Sequence, residues 1–386
     1  MALNTVSSDR LSTNVKNTNF TSAEKQDLTN DILPLAGQLG NRNLIINGAM
    51  NVAQRGTSST GLGASAGYFT LDRYRATFSS TAGRLTMSQV ADVHDGFANA
   101  MKLECTTADT SIGSSEYFIL QHKFEGQDVQ QLKKGSADAE EFTVSFYVKG
   151  NANATYVVEM YDLDNNRQVG KTFSVTTSWT RVVLTFPADT TGALDDDNAA
   201  SLQLGIWLHA GSNYTSGTLA TSWVSNVSAQ RAGGITSFFD STDRTFFLTG
   251  LQMEVGSVAT DFEHRSFAQE LALCQRYYQT IGVGFITACR GASSSQLLYS
   301  YTPPVNMRAS PTISTTATGF HSSFGVRSYR DGSGTSDSTT TPATVSLYWQ
   351  EINPTIHLTQ TGFSVTDDRS AVIFVNGGAI TLSAEL

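Results

Sequence analysis

The sequence predicts an all-β protein: an antiparallel jelly-roll-like β-sandwich, then a short linker helix and a second, smaller β-sandwich, preceded by a short, partly helical N-terminal arm. Three observations predict it. Gly, Ser, Thr and Asn are abundant and Lys is scarce, which suits short strands and frequent turns. Apolar residues alternate at period two in segment after segment: in Phe142-Thr143-Val144-Ser145-Phe146-Tyr147-Val148, residues Phe142, Val144, Phe146 and Val148 share one face of a strand. The stretch from Phe246 to Gln279 passes from strand pattern to helix pattern, a seam between two β blocks. At 386 residues the chain exceeds the length at which one core stops growing, roughly 250–300 residues.

Residues 1–41 read as an arm. Thr21 and Glu24 have capping-box spacing, and Leu28, Ile32 and Leu35 lie along one stripe until Pro34 and Gly37 stop the helix. One apolar stripe on a short helix needs a partner, either symmetry-related copies or a socket on another protein; the alternative is a terminus that packs back on its own chain. Residues 42–265 form the first sandwich, with its clearest strands at 84–90, 98–105, 117–124, 142–149, 155–162, 179–186, 201–208 and 245–255. Eight or more such strands describe two antiparallel sheets, and jelly roll is the favoured topology. Trp207 and Trp223 are expected between those sheets, and Arg55, Asp72 and Arg73 as an internal salt-bridge and turn network.

In the last strand of this block Gly250 interrupts the alternation, as a bulge does. Ser266 and Gln269 then form a capping box that starts a linker helix over 266–280, with Leu271, Cys274 and Tyr278 on one face and Phe267 and Tyr277 beside it. Residues 281–386 return to β pattern, and their polar run from Val326 to Ala343 is too long for a simple hairpin loop.

Two phrases carry a family resemblance. The first is Asn43-Leu44-Ile45-Ile46-Asn47-Gly48 with Gln54-Arg55-Gly56; the second is Leu251-Gln252-Met253-Glu254-Val255-Gly256, running into Phe262-Glu263-His264-Arg265 and Leu273-Cys274-Gln275-Arg276-Tyr277-Tyr278. With the later Pro304-to-Thr312 segment, the chain resembles phage tail-fibre and related virion appendage proteins. The resemblance implies a non-enzymatic virion component, with a carbohydrate-binding-module-like jelly roll and usually trimeric.

Composition narrows the partners. A net charge of −9 and a pI near 5.1 argue against nucleic acid and anionic membrane surfaces. No apolar run is long enough to insert in a membrane, and no secretion signal opens the chain. The odd cysteines, Cys105, Cys274 and Cys289, point to buried thiols made in a reducing host cytoplasm. No GxSxG, HExxH, P-loop or dinucleotide motif occurs, and His94, His122, His209, His264, His321 and His357 are scattered, so no catalytic residue is assigned.

No cofactor is required, although structural calcium is a candidate at Asp195, Asp196 and Asp197, beside Asp189; the Asp162, Asp164, Asn166 set departs from an EF-hand at Arg167 and reads as a turn. Sugar recognition needs aromatic faces beside amides or charges. The loop residues Tyr68, Tyr74 and Tyr214, and Tyr329, Arg330 and Asp331 in the C-terminal block, are the glycan-contact candidates. The expected role is a structural and adhesive tail or collar fibre: a homo-oligomer, trimeric by the resemblance. It would reach other virion proteins through the arm and a host surface glycan through the C-terminal tip. A purely architectural virion protein is the alternative, and a tail-spike depolymerase the third reading.

Overall fold

A computed structural model describes residues 41–282, 286–293, 296–315, 324–328, 336–338, 345–348, 356–361, 370–375 and 380–386. The stripe of Leu28, Ile32 and Leu35 lies outside the described residues, as do Tyr329, Arg330 and Asp331. Leu44–Leu386 forms one compact unit.

Its first strands, in chain order, are β1 (Ser58–Leu62), β2 (Gly67–Tyr68), β3 (Arg75–Ser79), β4 (Arg84–Val90), β5 (Ala100–Thr107), β6 (Tyr117–Glu125), β7 (Phe142–Gly150), β8 (Ala154–Asp162), β9 (Arg167–Val175), β10 (Thr180–Phe186), β11 (Ala200–Ala210), β12 (Val224–Ser225) and β13 (Thr245–Val255). They pair as two antiparallel sheets, β1-β4-β5-β13-β7-β10 and β12-β9-β8-β11-β6-β3-β2. Consecutive strands pair only at β2–β3, β4–β5 and β8–β9; elsewhere the long strands cross from sheet to sheet, the winding of a jelly roll. Alternation decides which side chains meet between the sheets: Val144, Phe146 and Val148 of β7 are fully buried against Tyr156, Val158 and Met160 of β8 and Leu202, Leu204 and Ile206 of β11 within one core.

The two phrases that bracket this block meet in space. Leu251 donates its backbone N–H to Gly48 O at 3.0 Å, and a Cβ on Gly48 would fall 2.1 Å from Leu251 O, so only glycine fits. Gly250 takes φ +61, and the β13–β7 register shifts between Thr249 and Gln252, which is the bulge its position predicts.

The helix (Phe267–Gln275; α2 below, after the single turn α1 at Ser212–Thr215) carries the predicted capping box at Ser266 and Gln269. It ends earlier than expected, because Tyr278 opens strand β14 (Tyr278–Ile281). Cys274 and Glu270 face inward, whereas Phe267 is 59% exposed. The later strands are β15 (Ile286–Ser293), β16 (Gln296–Tyr301), β17 (Thr312–Thr315), β18 (Phe324–Ser328), β19 (Ser336–Ser338), β20 (Val345–Tyr348), β21 (Ile356–Thr361), β22 (Ser370–Val375) and β23 (Ile380–Ser383). They form a sheet β19-β18-β22-β15-β16-β21-β20 and a smaller sheet β14-β23-β17. No helix among the described residues is long and apolar enough to cross a membrane.

Candidate functional site

The outer face of the second sheet is built in rows of cross-strand neighbours. One row is Thr172, Val157, Trp207, Ile119 and Thr77. It is apolar at its centre and is covered by residues 211–236, from which Tyr214, Leu219, Ala232 and Ile235 pack onto Trp207, Val157 and Ile119. Trp207 therefore does not sit between the sheets. Ile206 and Leu208 point into the core, so the period-two pleat turns Trp207 outward, where the 211–236 excursion buries it completely.

The next row is Gly170, Glu159, Gly205, Gln121 and Arg75, and the one after it is Gln168, Tyr161, Gln203 and Lys123. Both are polar. Gly205, between Glu159 and Gln121, brings no side chain to the centre. Glu159 is held by Arg231 at 2.6 and 2.7 Å and by the Trp207 indole N–H at 2.9 Å, and the Arg231 guanidinium lies 4.6 Å from the centre of the Tyr161 ring. Gln121 Oε1 accepts from Thr77 Oγ1 at 2.8 Å and Arg75 Nη1 at 3.4 Å, and among the described residues its NH₂ donates to none. The Gln203 side-chain amide makes no hydrogen bond among the described residues, and neither Lys123 nor Arg75 has a carboxylate partner there. Burial, and then the positive charges of Arg75, Arg73 and Arg308, lower the Lys123 pKa. Among the described residues this strip therefore holds unengaged donors and uncompensated positive charge on a recessed sheet face, with a half-buried tyrosine at its side.

A clasp closes the far side. Tyr277 and Tyr278 follow α2, and Arg73 and Arg55 stack over their rings at 3.4 and 3.5 Å. Glu385 takes Arg55 at 2.9 Å and Arg73 at 2.5 Å; Arg55 also reaches Asp72 at 3.4 Å, the network expected for Arg55, Asp72 and Arg73. Burial pushes the Asp72 carboxyl up to about 6, against the pull of Gln54 and Arg55. Arg276 forks onto Glu125 at 2.7 and 2.6 Å, and Arg308 donates to Ala384 O and Asn198 O.

Three of the predicted glycan contacts, Tyr68, Tyr74 and Tyr214, have packing or hydrogen-bonding work of their own. Tyr74 is 1% exposed, with its hydroxyl 3.3 Å from Asn47 O, and a ring so buried cannot stack on a sugar. Tyr68 belongs to the clasp: its hydroxyl donates to Leu386 O at 2.8 Å, and burial pushes its pKa up to about 12. Tyr214 seals the covered row, edge-on to Tyr117 at 5.3 Å and tilted over Trp207 at 5.3 Å. The strip residues escaped the sequence reading because they lie on strands, where polar alternation looks like an ordinary solvated face.

Among the described residues, Asp195, Asp196 and Asp197 do not bring three carboxylate oxygens within 4.8 Å of one another. Asp189 is tied to Arg167 at 2.8 and 3.0 Å and to Lys134 at 3.1 Å. Asp195 instead uses its backbone N–H, donating to Asp164, while Asp197 accepts from Ala199 N. Among the described residues, the one group of three His, Cys, Asp or Glu ligand atoms within 4.8 Å of one another lies elsewhere.

No family model matches the sequence, and no curated protein matches it. Solved carbohydrate-binding modules are similar in structure. A family 30 module is 12% identical and covers 60% of this chain and 96% of its own, with a TM-score of 0.31. A family 61 module solved with β-1,4-galactotriose is 10% identical over 56% of this chain and 99% of its own, TM-score 0.29. The Clostridium thermocellum family 11 module, solved with a β-1,3-1,4-mixed-linked tetrasaccharide, is 10% identical over 54% and 98%, TM-score 0.26. Likeness at these levels assigns this chain neither a family nor a ligand; its antiparallel jelly-roll sandwich stands on its own strand order.

Proposed function

We propose that this chain is a non-enzymatic, glycan-binding virion appendage protein, and that the polar strip of Tyr161, Gln203, Gln121, Lys123 and Arg75 is its binding face. The observation that carries the binding reading is a pair of amides, Gln121 and Gln203, that donate to no group among the described residues, beside two cations without carboxylate partners among them. Amides match sugar hydroxyls, and Lys123 with Arg75 suits a sugar bearing a carboxylate or phosphate, so the ligand class is an acidic oligosaccharide. The virion setting rests on the resemblance of the two bracketing phrases. In this reading the chain divides at 41, 265 and 280 into arm, sandwich, linker and C-terminal block. The arm joins chains as a trimer and anchors them to tail or collar proteins, and several copies per particle turn weak sites into firm adhesion to a host surface.

The test is an array of neutral and acidic bacterial surface glycans probed with the full chain. Binding to acidic glycans is expected, and it falls at least about tenfold in Gln203→Ala and Lys123→Ala, the loss of about one charge-assisted hydrogen bond. An array with no ligand, or variants that bind like the parent, overturns this reading.

A purely architectural role has its own observation. Val183 on β10, at the edge of the first sheet, is 47% exposed, and Val258 is 64% exposed. Assembly with virion proteins that Val183→Lys abolishes, together with an unresponsive array, favours that role.

A further inference from the structure

We infer that Asp109, Glu116 and His209 form a binding site for one divalent transition-metal ion of the zinc type, separate from the glycan strip. Asp109 follows β5, Glu116 immediately precedes β6, and His209 is the penultimate residue of β11. The jelly-roll winding brings the three to one end of the sandwich. Two backbone bonds fix the loops: Gly211 N donates to Glu116 O and Asp109 N to Phe239 O, both at 2.8 Å.

One ligand atom from each residue lies within 4.8 Å of the others. His209 Nε2 is 3.5 Å from Glu116 Oε2, close to the separation of about 3.4 Å between neighbouring ligands around a tetrahedral zinc with bonds of about 2.1 Å. A second observation points to a ligand. His209 is fully buried, yet its Nε2 has no hydrogen-bond partner, and neither has Glu116 Oε2 beside it. The other ring nitrogen, Nδ1, lies 2.8 Å from Ser237 Oγ, and the ring packs edge-on to Phe239 at 5.3 Å. In the tautomer that gives Nδ1–H to Ser237, the imidazole presents the Nε2 lone pair toward two carboxylates, and a cation resolves that repulsion.

The supporting bonds have the character of an outer shell. Asp109 Oδ2 is oriented by Thr81 Oγ1 and Ala82 N, each at 2.8 Å, and Ser237 Oγ is itself held by Phe239 N at 3.1 Å. No Lys or Arg pairs with either carboxylate among the described residues. One nitrogen and two carboxylates favour zinc over calcium, which wants six to eight oxygens, and the Glu116 side chain, 13% exposed, gives the ion a way in.

The test takes the full chain, stripped with a chelator, and titrates it with Zn²⁺ alone by calorimetry and by thermal unfolding. One saturable equivalent and a zinc-dependent rise in Tm are expected. Glu116→Gln, at the open side of the site, keeps the metal-free Tm and loses the zinc-dependent rise. Ser237→Ala binds zinc about ten- to a hundredfold more weakly through the unsupported imidazole. No zinc-dependent shift, a shift retained in Glu116→Gln because other histidines bind the ion, or a larger shift with Ca²⁺ overturns the inference.

Discussion

Two adjacent rows on one sheet face, separated by a single pleat repeat, have opposite fates. The row through Trp207 is sealed, with Trp207, Val157 and Ile119 all at 3% exposure or less under the 211–236 excursion. In the row through Gly205, Glu159 takes Arg231, Gln121 takes Thr77 and Arg75, and the apolar cover reaches only the Gly170 end, where Leu219 lies over the strand. The same strands carry both. The difference lies in side-chain chemistry: apolar residues on an outer face demand a lid, and polar residues there are stable without one.

Substitutions in the two rows test this contrast. The largest effect belongs to the sealed row. Trp207→Ala empties the space beneath the lid and removes the indole donor of Glu159; a loss of about 3–5 kcal/mol in a denaturant titration is expected. Next comes the joint between the rows. Arg231→Ala strands Glu159, 1% exposed, without its cation and costs about 3 kcal/mol, and the added Glu159→Gln recovers part of that loss. Gln203→Ala, in the polar row beyond, removes no side-chain hydrogen bond among the described residues and costs about 1 kcal/mol. Equal costs for Trp207→Ala and Gln203→Ala would dissolve the contrast.

The smallest effect is a pH response of the clasp. Hydrogen bonds and charge from Arg276, against an opposing burial cost, hold the Glu125 carboxyl below its ordinary 4.5. A depressed carboxyl contributes stability above its unfolded value that is lost as pH falls through the folded one, so the clasp weakens below about pH 4.5. Asp72 acts in the opposite direction. Its raised folded pKa, about 6, means that protonation on going below pH 6 relieves a burial cost. Thermal unfolding is therefore expected to hold or rise slightly from pH 7 to 5 and to fall below that, and Glu125→Gln is expected to flatten the acid limb.

Much of the sandwich was legible because long strands bury one face: β4 and β13 run as read, and β6, β7, β8 and β11 differ at their ends by one or two residues. The strands β3 and β9 were missed. Gly170 and Lys171 interrupt the apolar alternation of β9, and the backbone of Arg73, at φ 74, places a tight turn directly before β3. Ser266 and Gln269 announced α2 because a capping box is a local bond pair. The strip and the metal group were illegible for the opposite reason. Asp109, Glu116 and His209 are scattered in sequence; the pairing of β6 with β11 sets Glu116 beside His209, and the loop after β5 of the other sheet brings Asp109 to them.

In the proposed function the polar strip binds sugar through Gln121 and Gln203, which stand in neighbouring rows. The most direct measurement follows the side-chain amide signals of these two glutamines by nitrogen-15 NMR while an acidic oligosaccharide selected from the array is added. Both are expected to shift together and saturate, whereas the Trp207 indole signal under the lid stays in place. Saturable shifts confined to other residues, with both glutamine amides unmoved, would contradict this reading.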